Sequence, residues 1–178
     1  MPSLQRKLVG SVRQISYAKA TAIFSDCGRY RYLLKRTWAE GPVCLYVGLN
    51  PSTATASSDD ATVRKCMALA RAWGFSGIKL TNLFAVRCRY PQILSTQQDP
   101  VGPQNDQFLI HAIKKAHTVV AMWGNQGLKS YGLPIRRDRH ILSLRDDWQC
   151  VGITQQGAPR HPLYIAKSSL LMDLPDGL

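Results

Sequence analysis

Four short stretches carry side chains that chemistry can use: Gly48-Leu49-Asn50-Pro51-Ser52, Thr81-Asn82, Trp123-Gly124-Asn125 and Arg160-His161-Pro162. An asparagine amide both donates and accepts hydrogen bonds but has no useful basicity, so Asn50 and Asn82 suit the positioning of a reactant rather than proton abstraction. His161 is the one residue of the set that exchanges protons near neutral pH. Glu40 is the only glutamate, so any catalytic carboxylate is an aspartate. The five cysteines, Cys27, Cys44, Cys66, Cys88 and Cys150, form neither a CxxC pair nor a Cys/His cluster of ligand spacing. They read as buried thiols, and neither a metal nor a cofactor is expected.

The elements that must position these groups follow from the apolar pattern. Val43 to Val47 is apolar on both alternations and ends at Gly48, as a central parallel strand does when it runs into a tight loop. Gly48 and Pro51 fix an unusual backbone path there, turning the Asn50 amide and the Ser52 hydroxyl outward. The spacing of Val63, Cys66, Met67, Ala70 and Trp73 predicts a helix from Ala61 to Trp73, capped by Asp59 or Asp60 and stopped by Gly74. A strand is expected over Ile78–Phe84, a helix over Asn105–Ala116, a strand over Thr118–Trp123, a basic helix over Ile135–Leu144 and a strand over Gln149–Ile153. Before them, Ala20–Phe24 and Arg29–Trp38 flank Asp26-Cys27-Gly28 as a β-hairpin. Each candidate stretch follows a predicted strand, and parallel strands bring such ends to one edge, where open α/β sheets bind ligands.

The fold class expected is therefore α/β: three layers, α/β/α, around a mainly parallel four-stranded sheet, with an N-terminal β-hairpin. With 178 residues, 45% of them hydrophobic, the chain suits one domain over residues 20–178, preceded by a basic arm over residues 1–19. No apolar run approaches the roughly 20 residues of a membrane span, and no signal core opens the chain. A cytoplasmic monomer with no membrane partner is expected. Lys and Arg total 23 against 11 acidic residues, a net +12, which points to a polyanionic partner, nucleic acid first. Arg29, Arg31, Lys35 and Arg36 on the hairpin, with Arg136, Arg137 and Arg139, are the candidate DNA-facing set.

At this point the sequence resembles the uracil-DNA glycosylase superfamily. GLNPS is similar to its water-holding first motif, TNLFAVR to the strand end whose asparagine reads a flipped base, AMWGNQGLKS to its tryptophan-glycine segment, and GAPRHPLY to its histidine-proline loop. The order of all four is the same, across about Val43 to Tyr164. More closely, GLNPSTA, DDATVRKC, TNLFAVR, DPVGPQND and GxPRHPLY resemble an uncharacterised bacterial and phage family. The resemblance implies a monofunctional DNA glycosylase that flips a damaged, deaminated or modified base and hydrolyses its N-glycosidic bond, in repair or in phage defence, on duplex or single-stranded DNA. It implies that Asn50 holds the water, His161 donates to the leaving base and Asp59 or Asp60 supplies a general base. Gly48, Leu49, Pro51, Ser52, Asn82, Phe84, Trp123, Gly124, Asn125 and Arg160 would line the substrate. Leu163 stands where the superfamily's loop has serine. Two other readings share these residues: a catalytically inactive nucleic-acid-binding module, and a hydrolase of free nucleosides or nucleotides.

Overall fold

The computed structural model describes residues 19–175 and 177; the basic arm, apart from Lys19, lies outside the described residues. The strand Val43–Gly48 is β3, preceded by β1 (Lys19–Phe24) and β2 (Arg31–Thr37). There follow α1 (Ala61–Ala72), β4 (Gly77–Asn82), α2 (Asn105–Lys115), β5 (Val119–Ala121), α3 (Arg137–Leu142), β6 (Gln149–Cys150) and β7 (Met172–Asp173). All seven strands form one sheet in the order β1-β2-β4-β3-β5-β6-β7. The expected four-stranded, mainly parallel sheet is thus corrected to a seven-stranded mixed one. The four strands β4, β3, β5 and β6 do run parallel. The hairpin, however, is no appendage: β2 pairs antiparallel with β4, and β7 closes the other edge antiparallel to β6.

β3 is buried on both faces, as its apolar run requires. Leu45 and Val47 pack into a cluster with Leu109, Ala112 and Ile113 of α2 and Ile141 of α3. Cys44 and Tyr46 face the opposite cluster, with Val63, Cys66, Met67 and Ala70 of α1. Each large apolar side chain buried in this way stabilises the fold by about 1.5–3 kcal/mol before entropy is counted. α1 starts where the sequence places it, since Asp60 accepts from the Val63 amide at 2.9 Å. α3 is shorter than the basic segment suggested: Pro134 and Ile135 stay outside it, and Arg136 stands at its cap.

From β3 the chain moves to one neighbour, β4, and then crosses to the other, β5. That reversal makes the carboxyl end of β3 a topological switch point, where two loops diverge and leave a crevice. Among the described residues no helix is long and apolar enough to cross a membrane.

Candidate functional site

The loops leaving β3 and β4 are bonded to each other before they part. The Leu83 and Phe84 amides donate to the Gly48 and Leu49 carbonyls, each at 2.9 Å, and the Cys88 amide donates to the Pro51 carbonyl at 3.0 Å. Asn50 completes this pairing: its Nδ2 donates to the Cys88 carbonyl at 2.8 Å and the Pro51 carbonyl at 3.0 Å, and lies 3.1 Å from Cys88 Sγ. Acceptors on three sides settle which end of the amide is nitrogen. Asn50 Oδ1 consequently points away from them, with no protein partner among the described residues, on a half-buried side chain.

Asn82 lies across from Gly48 in the β3–β4 register. Its side chain covers that glycine so closely that a Cβ at Gly48 would stand 2.8 Å from Asn82 Oδ1. Only 4% of Asn82 is exposed, and its Nδ2 has no partner among the described residues, the state of a buried donor that awaits an acceptor. The strand end beneath it is fixed by Asn105 Nδ2, which donates to the Asn82 and Leu83 carbonyls at 3.1 Å.

His161 reaches the same edge from beyond β6. The Gly124 amide donates to the Pro159 carbonyl at 2.8 Å, which ties the loop after β5 to the His161 segment. The Leu163 amide donates to His161 Nδ1 at 3.3 Å, leaving the proton of a neutral ring on Nε2. Burial pulls the His161 pKa below its ordinary value, against the opposing field of Asp60. Neutral His161 is therefore a hydrogen-bond donor through Nε2 at physiological pH. Arg160, exposed beside it, donates from Nε to the Ile153 carbonyl at 3.1 Å, and exposed Asn125 accepts from Thr154 Oγ1 at 2.6 Å.

Several sequence-based assignments are corrected by burial. Phe84 is fully buried and edge-on to Tyr131, with ring centroids 5.0 Å apart. Trp123 is buried against Trp148 at 6.0 Å, so neither ring has an open face; Tyr90, just past the β4 loop, is exposed. Of the expected basic face, Arg31 and Arg36 are buried. The β1–β2 register slips between Ile23 and Phe24, leaving Tyr32 as an extra residue, and such a bulge turns the side chains before it to the other face. Arg31 therefore points at the Asn50 loop, donating to the Ala54 carbonyl at 3.0 Å. Arg36 bonds Asp59 at 2.9 Å, and both arginines hold residues 54–59 against β2. Arg137 is buried too, paired with Asp106 and donating to the Leu83 carbonyl at 3.0 Å. Arg136 pairs with Asp138, while Arg29 and Arg139 remain exposed and Lys35 half-buried.

The two aspartates separate in role as well. Asp59 is occupied by Arg36, and burial raises its carboxyl pKa. Asp60 caps α1 through Oδ1 and acts on His161 and Arg31 through its charge. Among the described residues no group of three His, Cys, Asp or Glu side chains is placed to hold a metal ion.

The residues that the sequence reading passed over are Arg87 and Arg89, which flank Cys88. With Arg29, Ser52 and Thr53 they line a cleft of about 440 Å³ that opens beside the Asn50 loop. The signal was present in the alternation Arg87-Cys88-Arg89-Tyr90 directly after a strand end, at the head of a long irregular segment.

No curated protein and no solved structure matches the chain. A family model does match, over residues 31–163, a span that holds Asn50, Asn82, Arg87, Arg89 and His161. The chain therefore belongs to the family described as Protein of unknown function (DUF1643).

Proposed function

We propose that the protein is a monofunctional DNA glycosylase, related to the uracil-DNA glycosylase superfamily, that hydrolyses the N-glycosidic bond of a damaged, deaminated or modified base. The observation that carries this reading is the division of the Asn50 amide: Nδ2 is committed to Cys88 and Pro51, and Oδ1 is left to accept from a water at the switch point. Breaking the C1′–N bond sends its electron pair to the base and leaves a cationic sugar; water oxygen adds to that sugar, and the proton it sheds neutralises the base anion. Oriented dipoles serve such a reaction better than a strong base does. Asn50 Oδ1 orients the water, and the Nε2 proton of neutral His161 stabilises the departing base anion. The unpartnered Asn82 Nδ2 gives a flipped base an acceptor-seeking contact. Asp60 is the carboxylate that stands near the forming cation, because Asp59 is neutralised by Arg36.

The test is single-turnover formation of alkali-labile sites on a panel of duplex and single-stranded oligonucleotides with different bases. Asn50→Ala and His161→Ala are each expected to lower base release by roughly 10²-fold, with melting curves recorded to exclude unfolding. Asn50→Asp is expected to be no better, since its second oxygen would face two carbonyls in place of a donor. Asn82→Ala is expected to lose selectivity among bases while non-specific binding persists. If the wild-type protein releases no base, the glycosylase reading fails and the nucleic-acid-binding reading replaces it.

A further inference from the structure

Arg29, Arg87 and Arg89 reach one cleft from two separate parts of the chain, the β1–β2 turn and the segment after β4. Among the described residues no carboxylate lines this cleft, and none of the three arginines is in a salt bridge. Two of them are nonetheless held firmly. Arg29 donates to Gln97 Oε1 at 2.7 Å and lies 5.7 Å from the Tyr30 ring centroid. Arg87 donates to the Gly28 carbonyl at 3.0 Å and lies 4.9 Å from the Phe24 ring. These neutral partners fix the guanidinium groups without cancelling their charge. Among the described residues Arg87 Nε is buried with no acceptor, and so is Nε of Arg31, which is 3% exposed and feels Arg87 as a like charge. Like charges gathered in place, with donors left over, lack only an anion.

We propose that this cleft is a phosphodiester subsite that grips the nucleic-acid backbone beside Asn50. Planar guanidinium forks match phosphate oxygens in pairs, and Ser52 and Thr53, which line the same cleft, add neutral hydroxyl donors. Cys88 joins the two sites physically, since it lines the cleft and also accepts from Asn50 Nδ2. Exposed Arg89 and Tyr90 extend the cleft along the chain as a cation followed by an aromatic face, the pairing that grips a backbone and stacks its next base. A polymer, rather than free phosphate, is therefore the occupant. The identity of the nucleotide beside Asn50 rests on the glycosylase reading, whereas the capture of the backbone does not.

The experiment is fluorescence anisotropy of a labelled oligonucleotide with the full chain across a salt series. Arg87→Ala/Arg89→Ala is compared with Lys114→Ala/Lys115→Ala, two exposed lysines of α2 that remove the same charge elsewhere. Arg89→Ala alone is included because an exposed side chain can be removed without unfolding the protein. The cleft pair is expected to weaken binding at least tenfold and to reduce the slope of log K against log salt by about 1.4–1.8, at 0.7–0.9 per lost phosphate contact. Arg89→Ala is expected to give about half of that slope change, and the lysine pair little. Equal slopes for the arginine and lysine pairs would overturn the proposal, because net charge alone would then explain binding. Displacement of the oligonucleotide by inorganic phosphate or a 5′-mononucleotide at comparable concentration would overturn it as well, by identifying a free-phosphate site. An arginine-dependent slope without base release refutes the glycosylase reading alone; base release with an unchanged slope refutes the cleft alone.

Discussion

The arginines of β2 and those that follow β4 are alike in sequence and opposite in use. Arg31 and Arg36 lie in a strand where alternation with Tyr30 and Tyr32 suggests a wet cationic face, yet both are buried and turned onto the Asn50 loop. Arg87 and Arg89 lie in an irregular segment, and both line the open cleft. A guanidinium cannot shed its proton, so a buried one needs carbonyls or a carboxylate around it, and β2 finds them in Ala54, Thr55 and Asp59. A formal charge of +12 therefore overstates the charge that a partner meets. What matters is which arginines have spent their donors on the protein itself.

The strongest way to break this contrast is Arg36→Met. The Arg36 side chain is fully buried and that of Asp59 is 10% exposed, so deleting the cation breaks a largely buried ion pair. Losses of this kind cost about 3–5 kcal/mol. For a domain of this size that lowers Tm by on the order of 10 °C, readable by circular dichroism. The double variant Arg36→Met/Asp59→Leu is expected to recover much of the loss. If Arg36→Met melts with the wild type, the β2 arginines do not anchor the loop, and the distinction between the two sets collapses.

How far the sequence carries can be judged from the same residues. The Asp60 cap and α1 were legible because cap, apolar spacing and terminating Gly74 all lie within one local window. The β3 strand end with Asn50 was legible for the same reason. Arg36–Asp59 was not, because its partners stand 23 positions apart and meet only when β2 docks on β4. Nor was the inward turn of Arg31, which depends on a single extra residue, Tyr32, in one strand of a pair. Strand order is likewise a tertiary property: nothing local says that β2 will pair with β4, or that the two residues Met172 and Asp173 will add an edge. The site divides in this way too. Asn50, Asn82 and His161 announce themselves as polar residues at strand ends. The cleft arises from the hairpin turn approaching the β4 loop, and only its Arg-Cys-Arg-Tyr half is visible in the chain.

Arg31→Met sharpens the contrast with a smaller effect. Arg31 is desolvated, which lowers its pKa to about 10, and among the described residues its side chain has no salt bridge, makes one hydrogen bond and leaves Nε without a partner. Replacing such a cation with an apolar chain of similar length trades a hydrogen bond of about 1 kcal/mol against relief of desolvation. The net change in stability is expected to stay within about 1 kcal/mol, far below that of Arg36→Met. Denaturant unfolding of the two variants side by side decides it. Equal losses would mean that Arg31 has an ionic partner, and that burial on β2 is uniformly compensated.

The smallest effect tests the other half of the rule: a partly buried base that can lose its proton should do so instead of acquiring a partner. His161 is the case in hand, with its pKa lowered chiefly by burial although Asp60 pulls the other way. The unfolded chain holds His161 at its ordinary pKa near 6.5. Below that value the unfolded state binds more protons than the folded one, so stability falls as pH drops from about 6.5 through the lower folded-state pKa, and is flat with respect to this group above 6.5. His161→Gln keeps a side-chain acceptor for the Leu163 amide and removes the titration. Melting curves from pH 7.5 to pH 5 are therefore expected to show a shallower acid-side decline for His161→Gln than for the wild type, with little difference between them above pH 7. The other three histidines are common to both proteins, so the difference isolates this ring. Parallel curves through the whole range would show that His161 has the same pKa folded and unfolded, and that its burial does not disfavour the protonated ring.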